Sequence, residues 1–362
     1  VSVALADLWA VDLLIAAFAG GAFGAAIGAL PAFVFTGFMV IAGEAANLAA
    51  STVGSEIAGA SANSIGSVGI TSSVAFGAPF SPAISFAGGA AAAAYAAKRG
   101  YMNTGFDYAE AKNIGFALGT KPDVLAVGGI FGILGYWLTV LSSAFALPYD
   151  PIAMGVVLSA LIHRVVFGYD LVGTVRGKGL LDMSPFEREE LRPAEGADAP
   201  VGGTATDGGV STRLAVEPWL PHQYRWADVA AIGVVTGLFG AYIAVATGSA
   251  FLAFGISAAT LLFLNLGVER IPVTHHMTLP ASTAALAAVG SDGSLLVALL
   301  VGAAFGAVCA LFGELFQRVF YAHGDTHWDP PAAAIVFGTF LVFVLYAVGV
   351  FPDTSWVATF GL

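Results

Sequence analysis

Two short stretches set helix breakers and hydroxyls inside otherwise apolar sequence. In FGAPFSPAISFAGG (76–89), Pro79 and Pro82 flank Ser81; in MTLPASTAALAA (277–288), Pro280 stands among Thr278, Ser282 and Thr283. Proline lacks an amide donor and interrupts a helix. A Ser-Pro pair has the order of an N-cap followed by a first helical residue. A helix starting there points free N–H groups and a partial positive charge at whatever precedes it. The chemistry on offer is binding, with hydroxyls and helix starts suited to a small anion. A single Ser-Pro or Thr-x-Pro kink would serve as a structural bend; recurrence in both halves is what points to a site.

Glu44, in GFMVIAGEAANLAA, is the carboxylate set well inside an apolar segment of the first half. An intramembrane acid is a candidate proton or cation relay, so Glu44 and Asn63 are the expected coupling pair, for Na⁺ or H⁺. Asn47 and Ser64 would extend the polar path. Counted from residue 32, Glu44 falls toward the outer end of its segment. HGDTHWDP (323–330) alternates His323, Asp325, His327 and Asp329. That spacing suits an extended loop, and with no further ligand motif nearby no metal site is expected. Asp329-Pro330 repeats Asp150-Pro151, and both aspartates read as N-caps. Glu314 and Arg318 have the spacing of an ion pair along one helix. His275 and His276 adjoin the second interruption, facing either a cavity or the cytoplasmic interface. No nucleophile–base set, Walker loop or dinucleotide fingerprint occurs, which argues against an enzyme or ATP coupling.

The elements that must hold these residues are membrane helices. The chain is 58% hydrophobic and 10% charged, with a mean hydropathy of +0.85. Runs such as 124–148 and 229–267 lack charge and exceed the ~20 residues that cross a bilayer. Residues 1–20 hold no Lys or Arg, so a secretory signal is not expected. The single Cys309 forms no intrachain disulfide, and no basic patch supports nucleic-acid binding. The net charge of −11, with acids gathered in 182–217, suits either a halophilic archaeal source or an ordinary acidic loop.

Three sequence pairs recur in order: GAFGAAIG (21–28) with GLFGAYIA (237–244), GIFGILG (129–135) with GAAFGAV (302–308), and PYDPIAMGVV (148–157) with HWDPPAAAIV (327–336). Each half divides into five apolar segments, near 10–30, 32–50, 65–97, 122–147 and 151–170, then 227–247, 249–267, 272–290, 294–320 and 331–351. An odd number inverts the second copy. With the N-terminus outside, all 13 Lys and Arg residues fall on the cytoplasmic side. The predicted fold class is all-α: a polytopic cell-membrane protein of ten segments in two inverted five-segment repeats. Residues 1–170 form the first repeat, 171–226 an acidic cytoplasmic linker and 227–362 the second repeat, with both termini outside.

GAFGAAIGALPAF (21–33) resembles the Gly-rich, Leu/Ile-Pro-Gly stretch in the large membrane subunit of the tripartite tricarboxylate transporter family. GAPFSPAISFAGGAAAAAYAAKRG (77–100) is similar to that family's Pro-Gly-x-Pro segment and the Ala-rich helix after it. AEAKNIGFALG (109–119) resembles its next short helix, and TLPAS (278–282) its second-half Pro-Gly-Ser element. Ala32, Phe80 and Ala281 stand where the family has glycine. The resemblance implies an ion-driven permease for small carboxylates, supplied by a separate solute-binding protein. It makes Pro31, Pro79, Pro82 and Pro280 the helix breaks around the substrate. The expected function is thus secondary transport of a small carboxylate or other anion by alternating access, in a homo-oligomer among membrane lipids. The alternatives are a self-associating scaffold without transport, or a channel lined by 51–73.

Overall fold

The computed structural model describes residues 5–56, 69–192, 213–290 and 293–361. These are helical, without a β-strand among them. Ten helices of fourteen or more residues carry the fold: α1 (Val11–Ile27), α2 (Ala29–Glu56), α3 (Ser85–Lys98), α4 (Pro122–Ala144), α5 (Pro151–Phe167), α6 (Trp226–Thr247), α7 (Leu252–Asn265), α8 (His275–Val289), α9 (Leu295–Phe320) and α10 (Pro330–Ala347). Five are long and apolar enough to cross a membrane: α2 over Ala29–Ser51, α4, α6, α9 and α10. Shorter apolar helices are α1, α5 and α7. The 14 residues of α3 and 15 of α8 are almost wholly buried; at 1.5 Å per residue neither would cross a bilayer alone.

The helices pack inside out relative to a water-soluble bundle. On α6 the buried positions are largely small, Gly233, Gly237, Gly240, Ala241 and Ala244, while Val235, Leu238, Phe239 and Tyr242 are exposed. On α9 the glycines Gly302, Gly306 and Gly313 face inward, and Leu296, Leu300 and Leu315 face outward. Lipid solvates large apolar side chains, so small residues mark where backbones approach. A Cβ on Gly21 of α1 would overlap the Gly128 carbonyl of α4, and one on Gly237 of α6 would overlap that of Gly302 on α9. The repeated glycine motifs are therefore helix crossings. Gly28 alone joins α1 to α2, and its φ of +95° explains the glycine.

Within the first half, α1 packs on α3 and α4, and α5 on α3 and α4; in the second half, α6 packs on α8 and α9, and α10 on α8 and α9. Two principal contacts join the halves: α2 with α7, and α5 with α10.

One end of the bundle is charged. The described parts of the linker fold over it. Glu217 meets Lys112 at 2.6 Å and also Arg213, which reaches Asp325 at 2.6 Å; Arg192 lies 3.2 Å from the same aspartate. Arg318 pairs with Glu314 at 2.6 Å and donates to the carbonyls of Leu181 and Tyr224. Gln223 exchanges two hydrogen bonds with the Val273 backbone, each 3.0 Å. These bonds gather 101–121, 171–192, 213–225, 271–273 and 321–329 into one cap. The sequence reads 171–226 as a connecting loop; ion partners more than a hundred residues away fold its described parts. The opposite end holds other contacts: Tyr136 and Trp137 donate to the carbonyls of Asp7 and Leu8, and the Phe360 amide donates to Ala146.

Candidate functional site

A cavity of about 890 Å³ lies where the two halves meet. Its side walls are α2, through Leu30 and Phe33, and α7, through Phe254 and Leu261. Four helices begin on it. Pro82 and Phe86 come from the start of α3, Asp150 and Ile152 from α5, Val273 and His275 from α8, Asp329 and Ala332 from α10. The lining is mostly aromatic and aliphatic. Asp107, Phe116 and Asn265 line it at the charged end and are exposed, forming a mouth. Toward the other end Phe76 and Phe251 meet at 5.4 Å, and Phe251 and Trp356 at 5.2 Å.

The Asp-Pro pairs start α5 and α10 as the sequence predicts. Asp150 Oδ1 accepts from the amides of Ile152 (2.8 Å) and Ala153 (3.1 Å), and its own amide donates to Thr339 Oγ1 of α10 at 2.9 Å. Asp329 Oδ2 accepts from the Ala332 amide at 2.8 Å, and its Oδ1 lies 3.0 Å from His327 Nε2. Asp150 is 7% exposed. No cation or second donor meets its Oδ2 among the described residues. Thr339 lies mid-way along α10, so α5 begins deep in the bundle.

Lys112 is the cation on the cavity wall. Its ammonium is taken by Glu217 and, at 2.7 Å, by the Tyr321 carbonyl, over whose ring it sits at 4.4 Å. Burial pulls Lys112 down to about 7, with Glu217 opposing the shift. Burial also raises Glu217, but Lys112 and Arg213 outweigh it and hold the carboxyl below its usual range. Their mutual attraction is what opposes burial on both sides of the pair.

Of the residues singled out in sequence, Pro82 lines the cavity. Pro79 packs against Gly20 of α1, and Ser81 is buried with its hydroxyl unpaired. Ser81 does not cap α3. Its carbonyl, not its side chain, accepts from the Ile84 and Ser85 amides. The interruption at 76–84 exists, and protein fills much of it: Thr36 Oγ1 and Ser85 Oγ donate to the Phe80 carbonyl at 2.9 and 3.1 Å. Pro31 sits in the first turn of α2 beside Gly28.

The second interruption that the sequence places at 278–283 is absent, and in that region only the link between α7 and α8 is non-helical. The chain leaves helix over 266–274, and Thr278, Pro280, Ser282 and Thr283 fall within continuous α8. Pro280 costs that helix one internal bond while its ring packs toward Gly338 of α10. Thr278 Oγ1 donates to the His275 carbonyl, Thr283 Oγ1 to that of Leu279, and Ser282 is buried against Gly240. All four are packing residues outside the cavity lining.

Glu44 is 7% exposed and joins the halves. It accepts from Thr71 Oγ1 at 2.7 Å, from Ser249 Oγ at 2.5 Å and, more weakly, from Asn47 Nδ2 at 3.4 Å. No cation faces it among the described residues. Asn63 lies outside the described residues, as does most of 51–73. His323 and His327 diverge, one toward the Leu180 carbonyl and the other to Asp329. No cluster of three or more metal-ligating side chains occurs among the described residues.

Sequence reasoning took Asp150 and Asp329 as caps and missed that both line one cavity. The signal was present: an Asp-Pro pair at the same place in each half, opening an apolar segment. Nothing in the sequence announced Lys112, whose partner Glu217 is 105 residues away. No curated protein and no solved structure matches the chain. Residues 3–360 match a family of unknown function, DUF7973, and the chain belongs to that family.

Proposed function

We propose that the protein is a membrane permease of two inverted five-helix halves, working by alternating access around the central cavity. The observation that carries the reading is the cavity itself. Corresponding helices, α3 with α8 and α5 with α10, all begin on it, and corresponding helices, α2 with α7 and α5 with α10, make the contacts between halves. Inversion is supported by the ends. The chain runs from the Asp7 end into the cap along α1 and away from the cap along α6. Inverted halves meeting at a cavity are the usual construction of secondary transporters.

The charged cap is cytoplasmic on this reading, because the basic residues lie on the connections it gathers. Both termini are then outside. The mouth beside Phe116 and Asn265 makes this an inward-open form. The outer side is closed by the Phe76–Phe251–Trp356 stack and by Glu44 clasped to Ser249. Glu44 is the proposed coupling group: a buried carboxylate ringed by hydroxyls would take up H⁺ or Na⁺, and the bond it holds across the halves would change with its charge. A small carboxylate, the solute class that the tripartite resemblance implies, would have to find its countercharge elsewhere, since Lys112 is committed to Glu217.

Sided cysteine labelling tests the proposal. In a Cys309→Ala background, Leu264→Cys faces the cavity. In sealed proteoliposomes of known orientation, its reaction with a membrane-impermeant maleimide should come from the cap side, and from the outer side after the conformational change. Labelling from one side under every gradient and solute would favour a non-transporting scaffold.

A further inference from the structure

We propose that the cavity binds a lipophilic monocation, with aromatic walls holding its apolar body and the carboxylate of Asp150 holding its charge. This names the solute class of the permease reading and rests on that reading only for where the solute goes afterwards.

The charges on the wall do not balance toward an anion. Lys112 is neutralised by Glu217, with its remaining reach spent on the Tyr321 carbonyl. Asp150, more than nine-tenths buried, has one carboxylate oxygen without a partner among the described residues. Asp329 is held by His327 and a backbone amide. His275 faces the rings of Phe33 and Phe254 and has no carboxylate partner among the described residues. At the mouth, exposed Asp107 adds another negative group.

The helix starts do not rescue an anion site. α5 and α10 carry their own aspartate caps, so their positive ends are already answered. At α3 the Ser81 and Pro82 carbonyls take the amides of Ser85 and Ala87, and at α8 the Thr274 carbonyl takes those of Met277 and Thr278, which leaves the backbone amides of Phe86, His275 and His276 without an acceptor among the described residues but supplies no full positive charge for an anion. What remains is a room with a half-unpaired carboxylate, Asp150, at the deep start of α5, a second, Asp329, about 15 Å nearer the cap along α10, and aromatic rings around them. Phe33 meets Phe86 and Phe254 at 5.9 Å each, and Trp219 and Trp356 complete the wall. Aromatic faces attract cations most strongly where water is excluded. The volume suits a drug-sized apolar body.

The test uses two ions of one shape and opposite sign. Tetraphenylphosphonium and tetraphenylborate would each be titrated calorimetrically into the purified full-length protein in neutral detergent, with triphenylphosphine oxide as the uncharged reference. The expected result is saturable binding of the phosphonium and at least about tenfold weaker binding of the borate, the size of effect one desolvated charge pair supplies. Asp150→Asn should weaken the phosphonium by about tenfold or more while leaving the phosphine oxide unchanged, because Asn caps a helix as well as Asp does; Asp329→Asn, at a carboxylate already paired with His327, should weaken it less. Unchanged phosphine oxide binding reports an intact cavity. Borate binding as tight as phosphonium, absence of saturable phosphonium binding, or indifference of phosphonium to Asp150→Asn would overturn the proposal. Phosphonium binding without uptake in proteoliposomes would remove the permease reading and leave this inference standing. Uptake of some other solute without phosphonium binding would do the reverse.

Discussion

Replacing Glu217 by Gln removes the charge that keeps Lys112 ionised while preserving side-chain size. Both partners have fully buried side chains, 0% exposed, and lie 2.6 Å apart. Breaking one side of such a pair leaves an uncompensated buried cation and costs about 3–5 kcal/mol. Here the Tyr321 carbonyl and ring stay with Lys112, so the lower part of that range applies, about 3 kcal/mol. Loss of the Arg213 contact adds little while Asp325 still holds Arg213. The sign of the pH dependence follows from Lys112, whose folded value is depressed to about 7 by burial. Between that value and its ordinary range the unfolded chain binds the extra proton, so this group's contribution to stability rises with pH. Without Glu217 the folded value drops further, so the variant's deficit should be largest at acid pH and shrink as pH rises from about 5 to about 7, above which both proteins gain stability at the same rate. Thermal unfolding in detergent, followed by tryptophan fluorescence across that range, measures both quantities. A deficit under about 1 kcal/mol at about pH 5, or one that grows between there and neutrality, would refute the buried-pair reasoning.

Other outcomes follow from the same contacts. Gly135→Ala drives a Cβ into the Ala83 carbonyl and should cost about 1–3 kcal/mol or prevent folding, read as a lower melting temperature or lost expression. Asp329→Ala removes the α10 cap and should cost about 1 kcal/mol, with Asp329→Asn restoring most of it. Glu44→Gln keeps its place beside Thr71 and Ser249 but cannot change charge. Under the permease reading it should leave solute binding intact and abolish the response of uptake to an ion gradient, measured in proteoliposomes.

Much of this arrangement could be read from residue order. Apolar runs longer than a bilayer located α4, α6, α9 and α10, and the repeated glycine motifs fell at equivalent helix crossings because only glycine permits those backbones to touch. The interior helices were harder. α3 and α8 are buried on nearly every side by protein, so their Ala, Gly and Ser residues carry no lipid-facing stripe. Pro280 looks like an interruption because proline usually is one; neighbours packed around it can absorb the single lost bond, and the chain leaves helix instead over 266–274, where Gly267 and Pro272 are the breakers. The cavity was legible only as two Asp-Pro pairs. Its mouth and cap depend on contacts such as Lys112–Glu217 and Gln223–Val273, which bring together residues that no local pattern relates.

The central claim is that two inverted halves rock around one cavity, and paired spin-label distances test it most directly. In a Cys309→Ala background reconstituted in lipid nanodiscs, labels at Asp107 and Asn265 flank the cap-side mouth, and labels at Ser72 and Ala246 report the opposite end. The account predicts two interconverting populations, in which the first distance shortens as the second lengthens when solute or an ion gradient is applied. A single unchanging distance at both ends would contradict it.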